Sequence, residues 1–157
     1  MKIVIADDHA MTRSGVMAAL SDMFPTAEII ECEDAASVLA VAKKEELTLA
    51  IVDLFMPGND GFGFLKKLCN TYPELRVAVL SASDNPKHVS KAIDLGVCGF
   101  IHKSSSFEVM HEAINKILAG GIYRLEVSSS TKSLSPDNKL DLDQPQNREA
   151  LISSLTK

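Results

Sequence analysis

Three uninterrupted apolar runs stand out along the first half of the chain: Ile3-Val4-Ile5-Ala6, Leu49-Ala50-Ile51-Val52 and Val77-Ala78-Val79-Leu80. Continuous rather than alternating, they predict strands covered on both faces, as in a parallel sheet. Weaker strand signals run from Glu28 to Cys32 and from Gly99 to His102. Between the runs the apolar period changes to that of a helix. Val16, Met17, Leu20 and Met23 share one face, and Val38, Val41 and Ala42 another. Phe107, Met110, Ala113, Ile114, Ile117 and Leu118 share a third. Asn85-Pro86 reads as an N-cap followed by Pro at the first helical position. Ser105 with Glu108 reads as a capping box. Five β-then-α units result, with crossovers long enough for helices. The fold class predicted is α/β, a doubly wound five-stranded parallel sheet.

The pattern ends at Gly120-Gly121, a helix-stop signal. Beyond it Ser128-Ser129-Ser130, Ser135-Pro136 and Gln144-Pro145-Gln146 have the composition of a linker. The 157 residues therefore divide near residue 122 into a compact domain, 1–122, and a flexible tail, 123–157. No internal repeat is present. Eleven basic and 16 acidic residues precede Tyr123, so the net charge of −5 lies wholly in the first part. That balance argues against a basic nucleic-acid surface there. Few aromatics and no Trp argue against base-stacking platforms. Cys32, Cys69 and Cys98 are odd in number and far apart, which fits three buried small hydrophobes in a reducing compartment rather than disulfides or zinc. No apolar run reaches the roughly 18 residues of a membrane span. The first apolar stretch stops at Asp7-Asp8, unlike a signal peptide. The expectation is a cytoplasmic protein without a membrane partner.

In an open parallel sheet, ligands bind beyond the carboxyl ends of strands, where the strand order reverses. Asp7-Asp8 close the first strand and Asp53 the third. In the order 2-1-3-4-5 these two strands are neighbours, so the three carboxylates converge. Unit charges about 4 Å apart repel by about 4 kcal/mol at an effective dielectric near 20, which calls for a cation or a raised pKa. Carboxylate oxygens with room for water select Mg²⁺ or Mn²⁺ over zinc. Ser81 closes the fourth strand and Lys103 the fifth. Acids, a hydroxyl and an ammonium on one rim suit a phosphoryl group, and a carboxylate can itself accept it; Asp53 is the best placed. Taken singly, these residues read as turn formers, caps and solvated surface groups; it is their joint placement at strand ends on one rim that points to a site.

In this order and spacing, Asp7-Asp8, Asp53 with Met56-Pro57-Gly58-Asn59-Asp60-Gly61, Ser81-Ala82 and Lys103 resemble the receiver domain of bacterial two-component response regulators, over about residues 1–122. The resemblance implies a flavodoxin-like receiver fold with the sheet order 2-1-3-4-5. It makes Asp53 the phosphoacceptor, fed by a phosphohistidine on a sensor histidine kinase. Asp8 and Asp53 would hold Mg²⁺, Asp7 would act through water, and the backbone carbonyl of Phe55 would be a further ligand. Lys103 would pair with the phosphoryl group, or before transfer with Asp53. Ser81 would hydrogen-bond a phosphoryl oxygen and draw its loop inward, and Phe100 would be the aromatic switch that changes rotamer with it. None of His9, His88, His102 and His111 is needed as a phosphodonor. His9 reads as a polar residue at a helix N-terminus, and Arg13 as a helix-face cation. Phe55, bulky beside the acceptor, is expected to slow attacking water.

Asp7-Asp8-His9 with Arg13 and Gly15, and Ala119-Gly120-Gly121-Ile122-Tyr123, resemble the LuxR-type (NarL-like) branch. That branch carries a C-terminal helix-turn-helix domain opening L-T-x-R-E, and Leu155-Thr156-Lys157 could begin it. The resemblance then implies transcription regulation, with DNA reached only through the domain that would follow, and a homodimer forming on phosphorylation. It implies a phosphoacceptor and not a turnover enzyme. The alternatives are a stand-alone receiver acting on a protein partner or in a phosphorelay, and an aspartyl-phosphate hydrolase of the haloacid dehalogenase type. Asp53-Leu54-Phe55 lacks the second acid that such hydrolases carry.

Overall fold

A computed structural model describes residues 1–56 and 61–124, with the backbone of 146–147 and 150–151. The chain divides into two units, Met1–Leu125 and Glu126–Lys157. In the first, strands and helices alternate: β1 (Lys2–Ala6), α1 (Ala10–Met23), β2 (Glu28–Cys32), α2 (Ala35–Lys44), β3 (Leu49–Asp53), α3 (Phe62–Thr71), β4 (Arg76–Ser81), α4 (Pro86–Asp94), β5 (Gly99–His102) and α5 (Phe107–Leu118). All strand pairs are parallel, in the order β2-β1-β3-β4-β5. In the second unit, β6 (Gln146–Asn147) pairs in parallel with β7 (Ala150–Leu151).

The three continuous apolar runs are the three central strands, and β3 is buried along its whole length. Successive side chains alternate between two cores. Val4, Ala50, Val52, Val77 and Val79 meet Val38 of α2, Leu65 and Leu68 of α3 and Val89 of α4. Ile3, Ile5, Leu49, Ile51 and Leu80 meet Leu20 of α1 and Ile114 and Ile117 of α5. Burial on both faces is why no alternation is visible in these runs. The edge strand β2 is part exposed, which weakens its signal.

Helix starts follow local chemistry. Asn85 Oδ1 accepts from the Lys87 N–H at 2.9 Å with Pro86 in the first turn, as the sequence predicts. The capping box at Ser105 is corrected. α5 begins at Phe107, so Ser106 is the N-cap and its Oγ accepts from Val109 N–H at 3.2 Å. Ser105 N–H instead closes a turn onto the His102 carbonyl. Phe107, first in its helix, overhangs the core and is exposed, while Met110, Ala113, Ile114 and Ile117 are buried as expected. Of the cysteines only Cys32 is fully buried; Cys69 and Cys98 are part exposed, and all three are free. After α5 the chain returns to the sheet. Tyr123 bridges Gly99, with Tyr123 N–H to the Cys98 carbonyl and Phe100 N–H to the Tyr123 carbonyl, both 2.9 Å. Arg124 then donates to Ser90 Oγ of α4 at 2.7 Å. No helix among the described residues is long and apolar enough to cross a membrane.

Candidate functional site

Parallel strands all end on the same rim, so the polar residues that terminate the apolar runs are gathered by topology. Asp7 follows β1 and is wholly buried; its N–H reaches the Cys32 carbonyl at 3.1 Å. Its Oδ1 accepts from the His9 backbone N–H at 2.8 Å. Asp53 ends β3, is 3% exposed, and accepts from Phe55 N–H on Oδ1 at 3.2 Å. From β5 the Lys103 ammonium reaches between the two acids, 3.0 Å from Asp53 Oδ2 and 3.1 Å from Asp7 Oδ2. Asp8 stands at the open side, its Oδ1 3.3 Å from His9 Nδ1. Donor atoms of Asp7, Asp8, His9 and Asp53 all lie within 4.8 Å of one another.

Three carboxylates and one ammonium leave a formal charge of −2 in a largely buried site, which a divalent cation would neutralise. Asp7 Oδ2, although ion-paired with Lys103, forms no aligned hydrogen bond. An oxygen-rich donor set with an under-used buried carboxylate oxygen fits a hard dication such as Mg²⁺ or Mn²⁺. The electrostatics carry the same strain. Burial pushes the Asp53 carboxyl above its ordinary value and the Asp7 charge adds to this, against the hydrogen bonds from Lys103 and Phe55. Burial alone would lower Lys103, but its hydrogen bond to Asp53 and its ion-pair contact with Asp7 outweigh that and raise it. The ammonium is therefore fixed as a cation.

Ser81 is buried at the end of β4, one residue past Leu80, the register partner of Asp53. Its Oγ accepts from Ser83 N–H at 3.0 Å. Phe100 is fully buried in β5, register partner of Val79. The Phe55 ring is 52% exposed and meets His88 of α4 edge-on, with centroids 5.7 Å apart. Pro57, Gly58, Asn59 and Asp60 lie outside the described residues, as does the tail from residue 125 apart from the short β6 and β7 backbones.

Several contacts were not legible beforehand. Arg13 is a helix-face cation as expected, but it also braces the site, with one guanidinium nitrogen 2.6 Å from the Asp7 carbonyl and Nε 2.8 Å from Glu31. His9 joins the carboxylate group; its place beside Asp7-Asp8 was the available signal. His88 Nδ1 lies 2.7 Å from Ser83 Oγ and ties the Ser81 loop to α4.

The response regulator receiver domain family matches residues 3–115. The chain belongs to this family. Over 123 residues it is 40% identical to the glycerol metabolism activator of Pseudomonas putida, covering 78% of this chain and 56% of that protein. It is 30% identical over 124 residues to the transcriptional regulatory protein DegU of Brevibacillus brevis, covering 78% and 52%. The chain thus spans little more than half the length of these relatives. Its structural neighbours are LuxR- and NarL-type response regulators. The isolated REC domain of RcsB from Salmonella enterica, determined with the phosphomimetic BeF3⁻, matches with TM-score 0.74 and 27% identity, over 80% of this chain and 94% of that one. The receiver domain of the putative response regulator NarL from Mycobacterium tuberculosis matches with TM-score 0.68 and 31% identity, over 76% and 96%.

Proposed function

We propose that this receiver accepts a phosphoryl group on Asp53 from a phosphohistidine of a sensor kinase, in a Mg²⁺- or Mn²⁺-dependent step. The observation that carries the reading is the single Lys103 ammonium shared by two buried carboxylates, with a third at hand and two negative charges left over. Asp8, Asp53 and the Phe55 backbone carbonyl would hold the cation directly, and Asp7 through water. When bound, it supplies charge neutralisation for the incoming phosphoryl oxygens.

Transfer breaks the phosphorus–nitrogen bond of the donor and forms a bond from a carboxylate oxygen of Asp53 to phosphorus. Lys103, released from Asp53, turns its ammonium to the phosphoryl oxygens, and the freed imidazole leaves with the electron pair. Ser81 exchanges its contact with Ser83 for a hydrogen bond to the phosphoryl group, and Phe100 repacks with it. Phosphorylation adds negative charge and acceptor oxygens, and shifts the surface around α4 and β5 by the difference in interaction with its two states. The role is that of a phosphoacceptor in the cytoplasm, not of a turnover enzyme. Residues 1–122 form the receiver and 123–157 the tail, whose first residues are fastened to β5 and α4. The output is transcription regulation through a DNA-binding domain beyond the tail, a reading supported by relatives named as transcriptional regulators.

The test is incubation with acetyl phosphate and Mg²⁺, followed by intact mass. One phosphate on the wild type, none on Asp53→Ala and none in EDTA is the expected outcome. Uptake that survives Asp53→Ala overturns the assignment.

A further inference from the structure

His102 closes β5 and is the register partner of Ser81. The last backbone rung between β4 and β5 runs from Lys103 N–H to the Ser81 carbonyl at 2.8 Å. Beyond it both chains leave the sheet, but the His102 ring continues the pairing. Its Nε2 is 2.9 Å from the Ala82 carbonyl, and its Nδ1 is 3.0 Å from Ser104 N and 2.6 Å from Ser104 Oγ. The partners dictate the tautomer. A carbonyl only accepts and a backbone N–H only donates, so Nε2 carries the proton and Nδ1 is bare.

The sheet order gives this contact a direction. β4 lies between β3 and β5, so Asp53 and His102 stand on opposite flanks of Ser81 and Ala82. A phosphoryl group on Asp53 draws the loop toward β3, whereas His102 holds its first carbonyl toward β5. On the α4 side the same loop is tied by Ser83 Oγ to His88.

We propose that His102 is a positioning residue that anchors the β4–α4 loop away from Asp53 and so sets the cost of bringing Ser81 onto the phosphoryl group. The proposal rests on Asp53 as phosphoacceptor. A contact made in one state and given up in the other biases the equilibrium by its full worth. One neutral hydrogen bond corresponds to about a fivefold change.

The test is titration with BeF3⁻ and Mg²⁺, the BeF3⁻ standing in for the phosphoryl group, of wild type, His102→Leu and His102→Gln. His102→Leu is expected to bind about fivefold more tightly. His102→Gln, whose amide N–H2 reaches the Ala82 carbonyl, is expected within about twofold of wild type. Equal or weaker binding by His102→Leu overturns the proposal. Nitrogen-15 spectra of the wild-type ring give a readout independent of any variant. A proton on Nε2, slow to exchange in the free protein and fast once BeF3⁻ is bound, supports the anchor. A proton on Nδ1, or equal protection in both states, overturns it. Failure of the underlying reading looks different: the wild type then shows no BeF3⁻ binding that depends on Asp53, and the proposal falls with it.

Discussion

Asp53 holds a carboxylate where charge is expensive. It is buried beside Asp7 and shares one ammonium with it, and its carboxyl is pushed up accordingly. A carboxyl raised by folding binds its proton more readily in the native chain than in the unfolded one. Stability therefore falls as pH climbs from the ordinary carboxylate range through the raised value, and is flat above it. Asp53→Asn removes that loss and leaves Lys103 paired with Asp7. In metal-free buffer the variant is expected to exceed wild type by about 1 kcal/mol at neutral pH, and the gap should close on acidification through that window. Urea unfolding at a series of pH values checks it. Two residues past Asp53, the Phe55 ring is half exposed and leans edge-on against His88, and we propose that it screens one approach to the acceptor. Phe55→Ser is expected to speed loss of phosphate from the phosphorylated protein on the order of threefold, and an unchanged decay contradicts the screening role.

At the level of elements, the sequence exposes whatever is local. Apolar runs that stop at Asp7, Asp53 and Ser81 mark where strands end, and parallel topology gathers those ends, so most of the site could be read from the chain. Asn85-Pro86 marks a helix start because a cap is a matter of two or three residues. The neighbouring Ser105 and Ser106 offer the same chemistry, and only the position of Phe107 in the first turn separates them. What stayed hidden joins distant segments without a periodic signature: Arg13 on the Asp7 carbonyl, His88 on Ser83, His102 on Ala82. Gly61, the N-cap of α3, is an element-scale constraint of another kind. Its φ is +72°, and a Cβ there would lie 2.2 Å from the Leu54 carbonyl oxygen. Gly61→Ala is expected to cost about 2 kcal/mol or more, seen as a lower urea midpoint at unchanged slope.

Across the whole of the first unit, two cores cover one sheet on both faces and leave its carboxyl rim to the polar groups. The rim carries Asp53 on β3, Ser81 on β4 and Lys103 after β5, so a change at one residue acts on three neighbouring strands. The edge of β5 is in turn occupied by Tyr123, and α4 holds Arg124, so the departing chain touches the elements that flank the Ser81 loop. That arrangement matters only if phosphate arrives at the middle strand. The direct measurement is borohydride reduction after treatment with acetyl phosphate and Mg²⁺, which converts an aspartyl phosphate to homoserine, followed by peptide mass mapping. Homoserine at position 53, absent without Mg²⁺, is the expected result. Homoserine at Asp7, Asp8 or elsewhere, with Asp53 intact, contradicts it.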